Sequence, residues 1–122
     1  MEINIYRSCL PAVLLLAVAT AEGAAYRAAT TGAQLVIDMQ VDPNVALNTF
    51  KRARAMGYID GIMDATASVQ WCPAGMAVPH ELNYLLIEDI QRLDAAALKG
   101  DATALVVAAL RKRFPCSTGS KS

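Results

Sequence analysis

The sequence lacks a net charge, because its 11 basic side chains are balanced by 11 acidic ones. Binding to nucleic acid requires a surplus of lysine and arginine on one face of a protein. Attraction to an anionic membrane surface requires a similar basic cluster. The charge balance therefore argues against both kinds of partner, and 122 residues are enough for one domain.

Histidine and aromatic residues are also scarce, with one histidine and an aromatic content of six per cent. His80 stands alone, and the sequence has neither a glycine-rich phosphate loop nor the spacing of a metal site. Alanine is abundant and β-branched runs are few, which favours helix over strand. We therefore predict an all-α domain that is not an enzyme and needs no cofactor.

The first 21 residues have the three-part layout of a secretory signal peptide. Arg7 lies in the charged start, an apolar run covers residues 10–18, and Ala19-Thr20-Ala21 has the small-x-small form that signal peptidase needs. A bilayer-spanning helix takes about 20 apolar residues, so this run is too short. We predict cleavage after Ala21 and a periplasmic protein free of the membrane. The alternatives are an uncleaved anchor and a buried N-terminal helix.

Two cysteines, Cys72 and Cys116, follow the predicted cleavage site. An even number of cysteines in an oxidising compartment indicates a disulfide, and this one would contribute about 4 kcal/mol in the chain-entropy model. Zinc needs three or four ligands, and the two cysteines together with His80 provide no more than three. A structural disulfide is the better prediction.

Hydrophobic periodicity predicts a small bundle of about four helices in residues 31–116, between a flexible lead-in (22–30) and a polar tail (117–122). The predicted helices run from a Thr30 or Thr31 cap to Gln40, from an Asp42 cap and Pro43 to residue 68, from 80 to 98, and from 102 to 113 after an Asp101 cap. Gly100 is expected to end the third helix in the left-handed conformation.

The second predicted helix carries two glycines four residues apart, Gly57 and Gly61. Glycine costs about 1 kcal/mol relative to alanine inside a helix, so two on one face suggest that another backbone lies close. We therefore expect this to be the central helix, with Tyr58 and Asp64 as structural partners nearby. The expected contact stripe consists of Phe50, Ala53, Gly57, Gly61 and Ala65.

Asp60 and Asp64 are the one possible acid–base pair, because residues four apart share a helix face. A hydrolase could use two such carboxylates if the pKa of one were raised. The structural interpretation, which we favour, has one aspartate facing solvent and the other bonded to backbone or to Tyr58. No other polar groups of matching kind accompany the pair.

The long connection after this helix, residues 69–79, contains the only tryptophan and Cys72. Trp71 either packs over the disulfide or anchors a protein interface, where tryptophan is enriched. We predict that a helix-linking loop of this kind contacts a partner. The candidate contact residues are Gln70, Trp71, Pro73, Ala74, Gly75 and Met76.

Three sequence blocks together resemble the Rap/Tai family of type VI secretion immunity proteins. Gly32-Ala33-Gln34-Leu35 is similar to the family's G-x-x-L helix start, and residues 57–65 (GYIDGIMDA) are similar to its most specific block. Residues 108–116 (AALRKRFPC) resemble its A-L-x-x-x-F-P-C ending. The resemblance covers residues 31–116.

Departures from the family pattern concern a second cysteine pair, whose positions hold Met39 and Ala55 here. Because both cysteines are absent together, the resemblance implies that this chain lacks one bridge and keeps the Cys72–Cys116 pair. The Cys72-Pro73-Ala74-Gly75 segment is one residue shorter than the family's C-x-P-x-G loop, and a proline near the end of the third helix is missing.

The resemblance implies a periplasmic helical protein, often a homodimer, that blocks the active site of a toxic effector. In characterised relatives the effectors are peptidoglycan amidases. The alternatives are a periplasmic stress or chaperone-like protein and a hydrolase that uses Asp60 and Asp64.

Overall fold

The structure is a computed structural model that describes residues 26–75 and 79–117. The predicted signal peptide, Met76 and most of the polar tail lie outside the described residues. The described chain contains five helices and no strand, so the all-α prediction is confirmed. The helices are α1 (Gly32–Gln40), α2 (Ala46–Thr66), α3 (Pro79–Gln91), α4 (Ala95–Leu98) and α5 (Ala102–Arg113).

Helix α1 is short, yet it packs against all four of the other helices. Thr31 caps it as predicted, because the Thr31 hydroxyl accepts a hydrogen bond from the Gln34 amide at 3.2 Å. Leu35 and Met39 of α1 are buried among the other helices. The central helix is therefore α1, and the prediction that α2 holds this position was wrong.

The N-cap of α2 is Val45, three residues after the proposed cap Asp42. The Asp42 carboxylate instead accepts two bonds from Asn44, one from its amide N–H and one from its side chain, both at 2.9 Å. A local turn of this kind competes with helix for the same backbone donors. Pro43 therefore lies in a turn and is not the first helical residue.

The third predicted helix is divided into α3 and α4. Asp94 caps α4, since its carboxylate accepts a bond from the Ala97 amide at 2.8 Å. Gly100 is not left-handed, because Gly75 is the one glycine with a positive φ among the described residues. The Gly100 carbonyl instead accepts the Gly32 amide at 3.0 Å, and Thr30 accepts from Ala102 at the same distance.

Helix α5 begins and ends as predicted, after an Asp101 cap whose carboxylate accepts from the Thr103 amide at 3.0 Å. Its buried face meets α1, α2 and α3. The hydrophobic core is formed by one side of each of the longer helices and by the loop tryptophan. The fully buried large apolar side chains are Leu35, Ile59, Leu86, Ile90, Val106 and Leu110.

The glycines of α2 face solvent. No atom lies within 4 Å of a Cβ built on Gly57 or Gly61. The core face of α2 is the opposite one, which carries Ile59, Ile62 and Met63. The predicted helix–helix contact within the chain was therefore wrong, because the larger apolar side chains gain more from burial. Every member of the predicted stripe is exposed: Phe50, Ala53, Gly57, Gly61 and Ala65.

None of the helices in the part of the chain that the structure describes has the length and apolar character needed to span a bilayer.

Candidate functional site

The connection between α2 and α3 starts as a tight reversal of the chain. Ser68 adopts a left-handed conformation with φ of 62°. The Ser68 amide donates to the Trp71 carbonyl at 2.7 Å, and the Gln70 amide donates to the Thr66 carbonyl at 2.8 Å. The backbone from residue 66 to residue 71 is therefore held by its own hydrogen bonds.

Trp71 is only 5% exposed and belongs to the core. The indole ring lies 5.8 Å from the Phe114 ring, centroid to centroid, at a tilt of 56°. The indole Nε1–H donates to the Thr66 hydroxyl at 3.2 Å, so its polar atom is satisfied. Trp71 therefore packs against Phe114, which lies two residues before Cys116.

A disulfide joins Cys72 to Cys116, as predicted. The Cys72 amide also donates to the Phe114 carbonyl at 3.0 Å. The covalent bond and the hydrogen bond fasten the connection to the segment that follows α5. The loop and the C-terminal end of the domain therefore form one unit.

Arg111 supplies a second attachment from α5. Its Nε–H donates to the Gln70 carbonyl at 3.1 Å, and its Nη2 contacts the Gln70 side-chain oxygen. Gln70, a candidate contact residue, is therefore occupied by an intramolecular partner and is partly buried.

The remaining described candidates form an exposed tip that consists of Pro73, Ala74 and Gly75. Gly75 has φ of 73°, a conformation that side-chain-bearing residues rarely adopt. Residues 69–75 carry no charged side chain. We call residues 73–75 the loop tip.

Asp60 and Asp64 lie beside this loop in different surroundings. Asp60 accepts a bond from the Asn83 side-chain amide at 2.9 Å, while Asp64 is exposed. Tyr58 bonds with the Thr103 hydroxyl at 2.7 Å and so joins α2 to α5. One aspartate faces solvent as expected, whereas the partner of the other is Asn83 and not Tyr58.

Two buried polar side chains were not predicted from the sequence. Asp38 is 4% exposed; it accepts from the Gln34 side chain at 2.8 Å and lies 3.4 Å from Arg54. Asn83 is 1% exposed on the core face of α3. The burial of Asp38 did have a signal in the sequence. Asp38 lies between Leu35 and Met39 on α1 and shares their helix face.

The site offers little to a metal ion. Within residues 26–75 and 79–117, no three side chains of histidine, cysteine, aspartate or glutamate are grouped so as to hold one. What the arrangement does provide is a short, uncharged tip that follows a segment held by the core, the disulfide and Arg111. Such a surface suits recognition of a macromolecule.

Comparison with known protein families identifies a match. The family model described as Rap1a immunity proteins matches residues 31–116. No curated protein matches the sequence. The matched segment contains all five helices and both cysteines of the disulfide.

Proposed function

Because the chain belongs to the Rap1a immunity protein family, we propose that it protects its cell by binding and blocking one secreted cell-wall amidase in the periplasm. Family membership makes the chain an immunity protein, whose partner is an effector protein. The resemblance read from the three sequence blocks is thus confirmed over the same residues. The amidase target, the cleaved signal peptide and the contact surface are parts of the proposal.

The observation that supports this mechanism is the way in which the loop tip is held. The Cys72–Cys116 bond, the buried Trp71 and the Arg111–Gln70 hydrogen bond fix the chain just before the tip. A loop that is ordered before binding loses less conformational entropy when it binds. A tip anchored at its start can therefore enter a cleft at a lower entropic cost than a loop with no such anchor.

The chemistry of the tip also suits a hydrolase cleft. Pro73, Ala74 and Gly75 are small and uncharged. Burying an unpaired charge in an interface is costly, and this segment has none to bury. We therefore propose that the tip, with the neighbouring predicted contact residue Met76, occludes the effector's active site. The homodimer implied by the family resemblance is the form in which we expect the protein to meet its effector.

The test uses the mature protein and the effector encoded beside its gene. We expect one effector to bind per chain and its amidase activity to be lost in proportion. Ala74→Arg, which places a charged side chain on the exposed tip, should weaken binding by at least about tenfold, or 1.4 kcal/mol. Ala96→Arg, at an exposed position on α4, is the matched control and should bind normally.

Three results would overturn parts of this proposal. An effector that stays active while bound would rule out occlusion of its active site as the mechanism. Equal binding of the effector by Ala74→Arg and Ala96→Arg would show that the contact surface lies outside the loop tip. Binding of many unfolded proteins, increasing as the fold loosens at low pH, would favour the chaperone-like alternative instead.

A further inference from the structure

A small cavity lies between α1 and α2, beside the segment that precedes α1. Its volume is about 200 Å³, which is below the roughly 300–1,000 Å³ of pockets that hold drug-sized ligands. The polar side chains that line it are Gln34 and Asp38 of α1 and Arg54 and Tyr58 of α2. We call it the α1–α2 cavity. Its size and polarity suit a small, charged ligand.

Asp38 brings a buried carboxylate to this cavity. A buried carboxylate needs close partners to offset the loss of its water. The Gln34 side chain donates to Oδ1 at 2.8 Å, but this amide is neutral. Among the residues that the structure describes, the one donor to Oδ2 is Nη2 of Arg54 at 3.4 Å, whereas charge-assisted N–H···O bonds are about 2.7–2.9 Å long. Asp38 therefore has capacity for a closer cationic donor.

Arg54 brings the opposite charge to the same cavity and keeps most of its donors accessible. Its side chain is 77% exposed, and a guanidinium carries five N–H donors in a fork that matches a carboxylate. One of these donors makes the long contact with Asp38. The α1–α2 cavity thus combines a buried negative group with an adjacent positive group that is open to solvent.

These two charges determine which ligands the cavity favours. A ligand with a positive group alone is attracted by Asp38 but repelled by Arg54, and a ligand with a negative group alone meets the reverse. A zwitterion that carries both groups on one carbon can satisfy the two residues together. Its ammonium then lies against the carboxylate and its own carboxylate against the guanidinium, so each group gains a charge-assisted hydrogen bond.

The remaining lining of the cavity limits the side chain of such a ligand. Leu35 and Ala55 contribute apolar atoms next to the charged pair. A small apolar side chain that packs against them gains free energy from burial. A cavity of about 200 Å³ leaves no room for a large side chain in addition to the charged groups.

We propose that the α1–α2 cavity binds a free α-amino acid with a small apolar side chain, with the ligand ammonium on Asp38 and the ligand carboxylate on Arg54. The inference goes beyond the proposed function, because the cavity lies outside the loop tip and requires no effector. It also gives the buried charge of Asp38 a role that packing of the core does not require.

A nuclear magnetic resonance titration of the isotope-labelled mature protein tests the inference, with alanine as the probe. We expect saturable shifts of the backbone amides around Asp38 and Arg54, with Kd on the order of 1 mM because the ligand has few atoms. Ethylammonium and propionate each carry one of the two charges and should bind at least about tenfold more weakly. Alanylalanine carries its two charges on different residues and should also bind more weakly.

Variants of the two charged residues test the assigned contacts. Arg54→Gln and Asp38→Asn should each weaken alanine binding by at least about tenfold, because one charge-assisted bond is lost. Lys51→Gln is the matched control, since it removes an exposed positive charge from α2 at a position that does not line the cavity. This control should bind alanine normally. Arg54→Gln should fold like the original protein because Arg54 is mostly exposed, and a melting curve verifies it.

The ligand preference of the two variants separates direct binding from a structural role. Arg54→Gln no longer repels a lone cation, so it should bind ethylammonium more tightly than propionate. Asp38→Asn no longer repels a lone anion and should show the reverse preference. A cavity that was merely distorted by the substitutions would lose affinity for all of the probes alike, which would contradict the assigned contacts.

Three other results would overturn the inference. The first is the absence of saturable shifts with alanine at concentrations far above the expected dissociation constant, or shifts confined to residues outside α1 and α2. The second is equal affinity for alanine, ethylammonium and propionate. The third is normal binding of alanine by Arg54→Gln, which would show that the guanidinium does not contact the ligand.

Discussion

Arg113 at the end of α5 makes a two-pronged ion pair with Asp89 of α3, with Nε donating to Oδ2 and Nη2 donating to Oδ1 at 2.8 Å. The side chains are 30% and 20% exposed, respectively. The hydrogen bond from Arg113 lowers the pKa of the Asp89 carboxyl below its ordinary value of 3.8, against the opposing effect of burial. The same bond raises the pKa of Arg113.

The first prediction concerns the pH dependence of this pair. Because the pKa of Asp89 is lower in the folded state, its stabilising effect is present above 3.8 and is lost as pH falls through the folded pKa. Asp89→Asn should therefore lower the free energy of unfolding by about 1 kcal/mol at pH 7. The difference from the original protein should shrink below pH 3.8 in urea titrations.

A neighbouring ion pair provides the control. Glu88 of α3 and Arg92, the residue that follows α3, form an exposed pair with side-chain exposures of 48% and 66%. Exposed pairs of this kind contribute only a few tenths of a kcal/mol to stability. Glu88→Gln should therefore leave the free energy of unfolding almost unchanged. If Asp89→Asn and Glu88→Gln lowered the free energy of unfolding equally, the Asp89–Arg113 pair would stabilise the fold no more than an exposed pair does.

The second prediction concerns Asn83, which is buried and donates to Asp60. Within the described residues, Oδ1 of Asn83 has no hydrogen-bond partner. A buried unsatisfied polar atom costs about 1–3 kcal/mol, so Asn83→Leu should raise the free energy of unfolding by up to about 1 kcal/mol. Asp60→Ala should lower it by about 1–2 kcal/mol, because the Asn83 amide is then stranded as well.

Combining these two substitutions tests that explanation. Once leucine replaces Asn83, removal of the Asp60 carboxylate should cost much less than it does in the original protein. Guanidinium unfolding of the original protein, the two single variants and the double variant gives the coupling energy. A loss for Asp60→Ala that is the same in both backgrounds would contradict the prediction.

The third prediction contrasts two glycines. A Cβ on Gly32 would lie 2.4 Å from the movable Leu105 methyl group and 3.3 Å from the Leu98 carbonyl oxygen, whereas a Cβ on Gly61 meets nothing. Gly32→Ala should lower the free energy of unfolding by about 1 kcal/mol or more. Gly61→Ala should raise it by about 0.5–1 kcal/mol, through helix propensity. Thermal and chemical unfolding at low protein concentration would measure both, and equal effects would contradict the prediction.

The fourth prediction concerns the disulfide. The two cysteines are 44 residues apart, and the chain-entropy model gives about 4 kcal/mol for closing such a loop. Replacing both cysteines by alanine should lower the free energy of unfolding by an amount of that order. Trp71 is the only tryptophan, so its fluorescence reports directly on the attached loop. A protein of unchanged stability would show that Phe114 and Arg111 hold the loop without the bond.

The elements that could be predicted from the sequence are those with local signals. Thr31 and Asp101 cap α1 and α5 through their own side chains, and Pro115 lies just beyond the end of α5. The disulfide followed from the number of cysteines beyond the predicted cleavage site. Each cap or stop signal lies within a few residues of the helix end that it determines.

The errors arise where two local signals compete or where a contact is distant in sequence. Asp94 divides α3 from α4 because a local cap prevailed over a continuous apolar pattern. Glycine spacing could not show which face of α2 is buried, since that depends on the neighbours of Ile59 and Ile62. The attachment of Gln70 to Arg111 spans 41 residues, so no sequence window contains it.

The backbone bonds that join Thr30 to Ala102 and Gly32 to Gly100 have a consequence for how the domain folds. They connect the first helix to the last, so α1 cannot acquire its full set of neighbours until α5 has been synthesised. Closing a loop of this length carries an entropic cost, and non-local contacts slow folding. We expect that a chain ending before α5 would not form a smaller stable domain, and that the exported chain completes its folding only once α5 is present in the same compartment as α1.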